Sequence, residues 1–125
     1  EGTDVTIVSF GKIIKEAYAA AEALEKDGIS CEIIDLMTVR PMDHETILKS
    51  VKKTNRLVIL EEACPFGNVA TEITYQVQSQ AFDYLDAPCK MITAPHTPVP
   101  FSPELEDVYI PSAETIVSTV KSQVE

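Results

Sequence analysis

Apolar residues fall in short runs along this chain, and the two densest have strand length rather than helix length. Residues 4–10 read DVTIVSF and residues 57–60 read LVIL. Runs apolar at both alternating sets of positions suit strands covered on both faces. The second run opens a unit around which the chain can be organised. It stops at Glu61-Glu62, passes a turn with Pro65 and Gly67, and reaches Asn68, a good N-cap residue. Val69, Ile73 and Val77 then form the inward stripe of a helix.

The same alternation of strand and helix recurs on either side. Ile13, Ile14, Ala17, Tyr18, Ala21 and Leu24 fall at helical spacing, and Asp27-Gly28 ends that helix. Residues 31–36, CEIIDL, predict a second strand in which Glu32 marks an edge or a half-exposed face. Pro41 and Asp43, a candidate N-cap, introduce a helix carrying Ile47, Leu48 and Val51. Residues 90–93, KMIT, are short and flanked by polar residues, which suits the other edge. Alternating strands and helices require right-handed crossovers and a parallel sheet. With the two most apolar strands central, the predicted order is 2-1-3-4, helices on both faces, in an α/β sandwich of three layers.

After Thr93 the pattern breaks. Five of the eight prolines lie in residues 94–111. Proline fixes φ and removes donors, so this segment is expected as an extended arm, neither strand nor helix. Ser112 is then expected to cap a last helix with Ile116, Val117, Val120 and Val124 inward.

Composition narrows the class. At 125 residues the chain holds one domain, residues 1–125, with 45% hydrophobic residues and no apolar run of membrane-spanning length. It shows no basic leader, and its start, Glu1-Gly2-Thr3-Asp4, reads like a turn, the expectation being a fragment of a longer protein. Cys31, Cys64 and Cys89 have neither CxxC spacing nor a disulfide framework, which points to a reducing compartment. Cys64, in a turn near a helix start, is the one thiol placed for activation. The net charge of −10 speaks against nucleic acid. Residues 1–60 hold 10 acids and 8 bases, whereas residues 61–125 hold 10 acids and 2 bases. Such a block is either a solvated surface or a steering surface for a basic partner.

The common α/β chemistries find no support. After the first strand stands Ser9-Phe10-Gly11-Lys12, with one glycine where a dinucleotide fingerprint needs three. Asp35, at the end of the second strand, means little without them. Neither a P-loop nor a GxSxG elbow occurs. Ser9 and Phe10 also stand where a phosphoacceptor domain would carry carboxylates. Glu61 and Glu62 are neighbours leaving a strand, so they point apart and do not share a ligand; amide hydrogen bonds or solvation are the plainer roles. His44 and His96 lack partners at metal spacing. The residues describe a domain that supports a site built elsewhere.

At this point TDVTIVSFGK, CEIIDLMTVRPMDHETILKSVKKTNRLVILEEACPFGNVATEI, AFDYLDAP and the TPVPF arm together carry a resemblance. The chain resembles the C-terminal domain of the beta subunit of thiamine-diphosphate-dependent 2-oxo-acid dehydrogenases, most closely the acetyl-transferring pyruvate enzymes. That resemblance implies a transketolase C-terminal fold, with a mixed five-stranded sheet whose leading antiparallel strand would precede Glu1. It implies thiamine diphosphate and magnesium in the full enzyme, none bound by this fragment, and no catalytic or metal residue here. It implies an α2β2 tetramer with an alpha subunit and a second beta subunit. It further implies docking of the basic subunit-binding domain of a dihydrolipoyl acyltransferase, and no nucleic acid or membrane partner. Asp86, in Leu85-Asp86-Ala87-Pro88, and Glu125 at the end of the last helix are the residues implied to face that domain. The implied compartment is a bacterial cytoplasm, or a mitochondrial matrix or plastid. Asn68-Val69-Ala70 replaces the Gly-Val-Gly of many relatives, Cys64 an aromatic residue, and His96 an acid of many pyruvate enzymes. A branched-chain 2-oxo-acid or acetoin enzyme, or a free-standing interaction module, are the other readings.

Overall fold

The computed structural model describes residues 1–124. Strands β1 (Val5–Ser9), β2 (Cys31–Asp35), β3 (Leu57–Leu60) and β4 (Lys90–Ile92) form one sheet in the order β2-β1-β3-β4. All three pairings are parallel, so the expected 2-1-3-4 order is observed. The antiparallel fifth strand implied by the resemblance is not among the described residues. β1 and β3 are buried throughout. β2 is half-exposed and β4 buries only Ile92, as edge strands do.

Alternation along the central strands feeds two cores. Val5, Ile7, Val58 and Leu60 face α1 (Ile14–Lys26) and α5 (Ala113–Val124), meeting Leu24, Ile116 and Val120. Val8, Leu57 and Ile59 face α2 (His44–Thr54) and α3 (Val69–Ala81), meeting Ile47, Val51, Ile73 and Val77. Each buried Ile or Leu contributes roughly 1.5–3 kcal/mol by leaving water. The second layer also contains a polar knot. Thr6 Oγ1 lies 2.7 Å from both Ser50 Oγ and Thr54 Oγ1, all three residues buried. The hydroxyls satisfy one another, which removes the cost of burying them unpaired.

The expected caps are in place. Asp43 Oδ1 accepts from Thr46 N at 3.0 Å, Asn68 Oδ1 from Thr71 N at 3.0 Å, and Ser112 Oγ from Thr115 N at 3.4 Å. One expectation fails. The proline-rich segment 94–111 is not extended throughout, because α4 (Pro103–Tyr109) is a helix within it. Its Ser102 side chain accepts from Leu105 N, and Pro103 sits in the first turn, where the missing N–H would have had no helical partner anyway. Glu104 and Glu106 follow in that turn, favourably placed against the helix dipole. Proline density had hidden a helix start. No helix among the described residues is long and apolar enough to cross a membrane.

Candidate partner-docking site

Asp86 stands at the amino end of the sheet, in the loop between α3 and β4, and its position is fixed from the α2–β3 turn. α2 ends at Asn55, whose backbone is left-handed (φ 63°) and whose N–H donates to Val51 O at 2.8 Å. Asparagine tolerates this conformation better than most residues. From there it reaches the Asp86 loop twice. Its Nδ2 donates to Tyr84 O at 2.7 Å, and its carbonyl accepts from Asp86 N at 2.9 Å. Lys52 adds a cation over the Tyr84 ring, 5.2 Å from the centroid.

Arg56, the next residue, ties three segments together. Its Nε donates to Gln123 O at 2.8 Å, near the end of α5, and its Nη1 to Asp4 O at 3.5 Å, just before β1. Its Nη2 lies 3.7 Å from Asp86 Oδ2. That is an ion pair without hydrogen-bond distance, and the Asp86 side chain is 59% exposed. Beside it lies a shallow concavity of about 280 Å³ lined by Gln78, Phe82, Leu85, Asp86, Ala87 and Pro88. Phe82 is largely exposed there. Glu125, the other residue implied for docking, lies outside the described residues; Gln123, two positions earlier, is held by Arg56. The resemblance implied Asp86, while Asn55 and Arg56, which hold its loop, were not named from the sequence. The signal was in the chain, since a polar Asn-Arg pair directly before a buried strand marks a helix end with work to do.

The other candidates are dispersed. Glu61 is buried at the start of α3, where its carboxylate accepts from Val69 N at 3.4 Å and Ala70 N at 3.0 Å. It caps a helix, close to the amide-binding role expected of it, while Glu62 points to solvent. Glu62, Lys12, Lys15 and Asp107 rim an open cleft of about 230 Å³ beyond β1 and β3. His44 opens α2 one place after its cap, and His96 lies exposed in the arm. Asp35 is exposed, and Ser9 Oγ is spent on Leu60 O at 3.1 Å. Among the described residues no group of three His, Cys, Asp or Glu side chains could hold a metal ion.

Electrostatics are modest. Lys53, bonded to Glu32, holds that carboxyl below its ordinary value, helped by Gly2 N and Ser50 Oγ. The Thr46 hydroxyl and amide lower Asp43 in the same direction. Burial, with the Asp4 carboxylate adding to it, raises the Cys31 thiol to about 11; burial also raises Cys89. Burial thus favours the protonated form of both thiols. The half-buried Cys64 points its Sγ toward Phe66 O at 3.8 Å.

By class the fold is a parallel α/β domain with helices on both faces of a four-stranded sheet. The sequence profile of the family described as "Transketolase, C-terminal domain" matches residues 1–116, and the chain belongs to that family. The beta subunit of acetoin:2,6-dichlorophenolindophenol oxidoreductase from Cupriavidus necator is 50% identical over 97% of this chain and 36% of the relative. The pyruvate dehydrogenase E1 beta subunit of Rickettsia felis is 47% identical over 97% of this chain and 37% of the relative. The mitochondrial subunit of that name from Saccharomyces cerevisiae is 46% identical over 97% of this chain and 34% of the relative. This chain thus spans about a third of the curated relatives it matches. Among solved structures, a split-gene transketolase described as an inactive beta4 tetramer superposes with TM-score 0.84 at 26% identity, over 99% of this chain and 39% of that one. A 2-oxoglutarate:ferredoxin oxidoreductase from Magnetococcus marinus shares the fold, with TM-score 0.69 at 16% identity, over 100% of this chain and 18% of that one.

Proposed function

We propose that this chain is the assembly and docking domain of a thiamine-diphosphate enzyme's beta subunit, and that the whole enzyme oxidatively decarboxylates pyruvate and passes the acetyl group to lipoamide. The observation that carries the docking role is Asp86, a carboxylate held on a pinned loop yet left mostly in solvent. It sits in the half of the chain where acids outnumber bases 10 to 2. The occupant it fits is a basic domain, the subunit-binding domain of the acyltransferase. The excess negative charge steers the approach, and the desolvated pair at Asp86 supplies part of the affinity.

Assembly is supported at the opposite end of the sheet. Met37, Phe66, Val99 and Phe101 all follow carboxyl ends of strands and all stand exposed. Apolar exposure on this scale suits a covered surface better than a bare one. The covering partners are the alpha subunit and a second beta subunit. The described residues offer neither a diphosphate-binding glycine loop nor a metal-binding cluster. In this reading thiamine diphosphate and magnesium belong to the whole enzyme, of which this chain matches about a third.

The test uses the whole enzyme. Asp86→Ala should weaken binding of the acyltransferase's subunit-binding domain, read by calorimetry; unchanged affinity removes Asp86 from the interface. Acetoin is the second reading for the substrate, favoured by the two acetoin oxidoreductase relatives at 50% identity. Turnover with pyruvate and with acetoin, using 2,6-dichlorophenolindophenol as acceptor, separates the two.

A further inference from the structure

We propose that the Asn55–Arg56 turn sets how strongly Asp86 docks: Asn55 positions its backbone, and Arg56 is an internal counter-ion that a partner's cation must displace. The proposal rests on the docking reading of Asp86 and adds what controls it.

The two residues act differently, and the distances say how. Asn55 holds the loop by two hydrogen bonds, at 2.7 and 2.9 Å, one on each side of Leu85. The Asp86 backbone is therefore fixed whether or not Arg56 touches the carboxylate. Arg56 is committed elsewhere, by Nε to Gln123 O at 2.8 Å. Only Nη2 faces Asp86, at 3.7 Å, beyond hydrogen-bond reach. A contact of that length on an exposed carboxylate neutralises charge without fixing geometry. An incoming arginine or lysine would approach from the Phe82 side, where the concavity can take its apolar stem. It would then compete with Nη2 for the same oxygens. Other charges near the loop do not replace Arg56, because Lys52 lies over the Tyr84 ring and Lys53 is bonded to Glu32.

This arrangement gives opposite signs for neighbouring substitutions. Asn55→Gly keeps the left-handed backbone and removes only the bond to Tyr84 O, so docking should weaken several-fold. Arg56→Gln removes the competing charge and retains an amide able to reach Gln123 O. Docking should then tighten, by up to about fivefold for an exposed pair.

The experiment measures binding of the basic subunit-binding domain to the assembled enzyme. It compares wild type, Asn55→Gly, Arg56→Gln, Asp86→Ala and the Arg56→Gln/Asp86→Ala pair, with thermal midpoints recorded alongside. Support is weaker binding for Asn55→Gly, tighter binding for Arg56→Gln, and no effect of Arg56→Gln once Asp86 is gone. A purely structural Arg56 would act equally in both backgrounds, which overturns the counter-ion role. Wild-type binding by both Asn55→Gly and Arg56→Gln, with Asp86→Ala still weakened, sinks this inference and leaves the docking reading standing. Unchanged binding by Asp86→Ala removes the docking reading itself.

Discussion

The two ends of this sheet are finished in different ways. At the amino end the loops are cross-tied by polar contacts. Ser30 N donates to Asp4 Oδ2 at 2.7 Å, Gly2 N to Glu32 Oε2 at 2.9 Å, and Lys121 pairs with Asp27 at 2.8 Å. Asn55 and Arg56 complete the set. At the carboxyl end the loops carry bare apolar side chains, with Met37 86% and Phe66 81% exposed. The amino end ties its loops together and leaves the Asp86 carboxylate in solvent, whereas the carboxyl end leaves its apolar loop side chains bare. A strand ladder alone does not decide which end is which; side chains in the loops do.

The largest expected effect attacks the amino end. Gly2 is buried against β2, and a Cβ there would stand 2.1 Å from the Cys31 carbonyl carbon. That neighbour is backbone and cannot step aside, so Gly2→Ala should cost more than about 3 kcal/mol, by strain in a packed site. Urea unfolding measures it, and a stability equal to wild type would mean that the amino end is loosely built.

Glu61→Ala is next. It strips the carboxylate from the Val69 and Ala70 amides at the start of α3, a loss of about 1–3 kcal/mol for buried donors left unpaired. Faster hydrogen exchange confined to residues 69–71 would show that the effect is local, whereas unchanged exchange there would count against the cap.

Acid comes third. Glu32 has a lowered pKa when folded, so its pairing with Lys53 stabilises the fold fully above the ordinary value of 4.5. That contribution is lost as pH falls through the lower folded value. Glu32→Gln should flatten the acid limb of the stability curve and leave its slope near pH 7 unchanged. An acid limb as steep as wild type would assign it to other carboxylates, Asp43 among them.

The smallest stability effect belongs to the carboxyl end. Phe66→Ser and Phe101→Ser should each change unfolding free energy by within about 0.5 kcal/mol, while the pair lowers binding of an apolar-surface dye. Should either single change unfold the domain, the carboxyl end would be core and the contrast between the two ends would be lost.

Much of this was legible in the chain. Strand order followed from which runs were most apolar, and Asp43, Asn68 and Ser112 announced their helices as caps. What escaped detection was long-range or masked. Asn55 and Arg56 act on partners 29 and 67 positions away, and sequence periodicity carries no information about such pairings, whereas the amide-binding role of Glu61 was among the roles expected of it. α4 escaped for another reason. Ser102-Pro103-Glu104 is a sound helix start, but its prolines were read for what they forbid instead of where they are tolerated.

Arg56 has one more consequence. A single guanidinium touches the backbone both at Asp4 and at Gln123, so the lead-in to β1 and the last turn of α5 are clasped to each other, and loosening of either should be felt by the other.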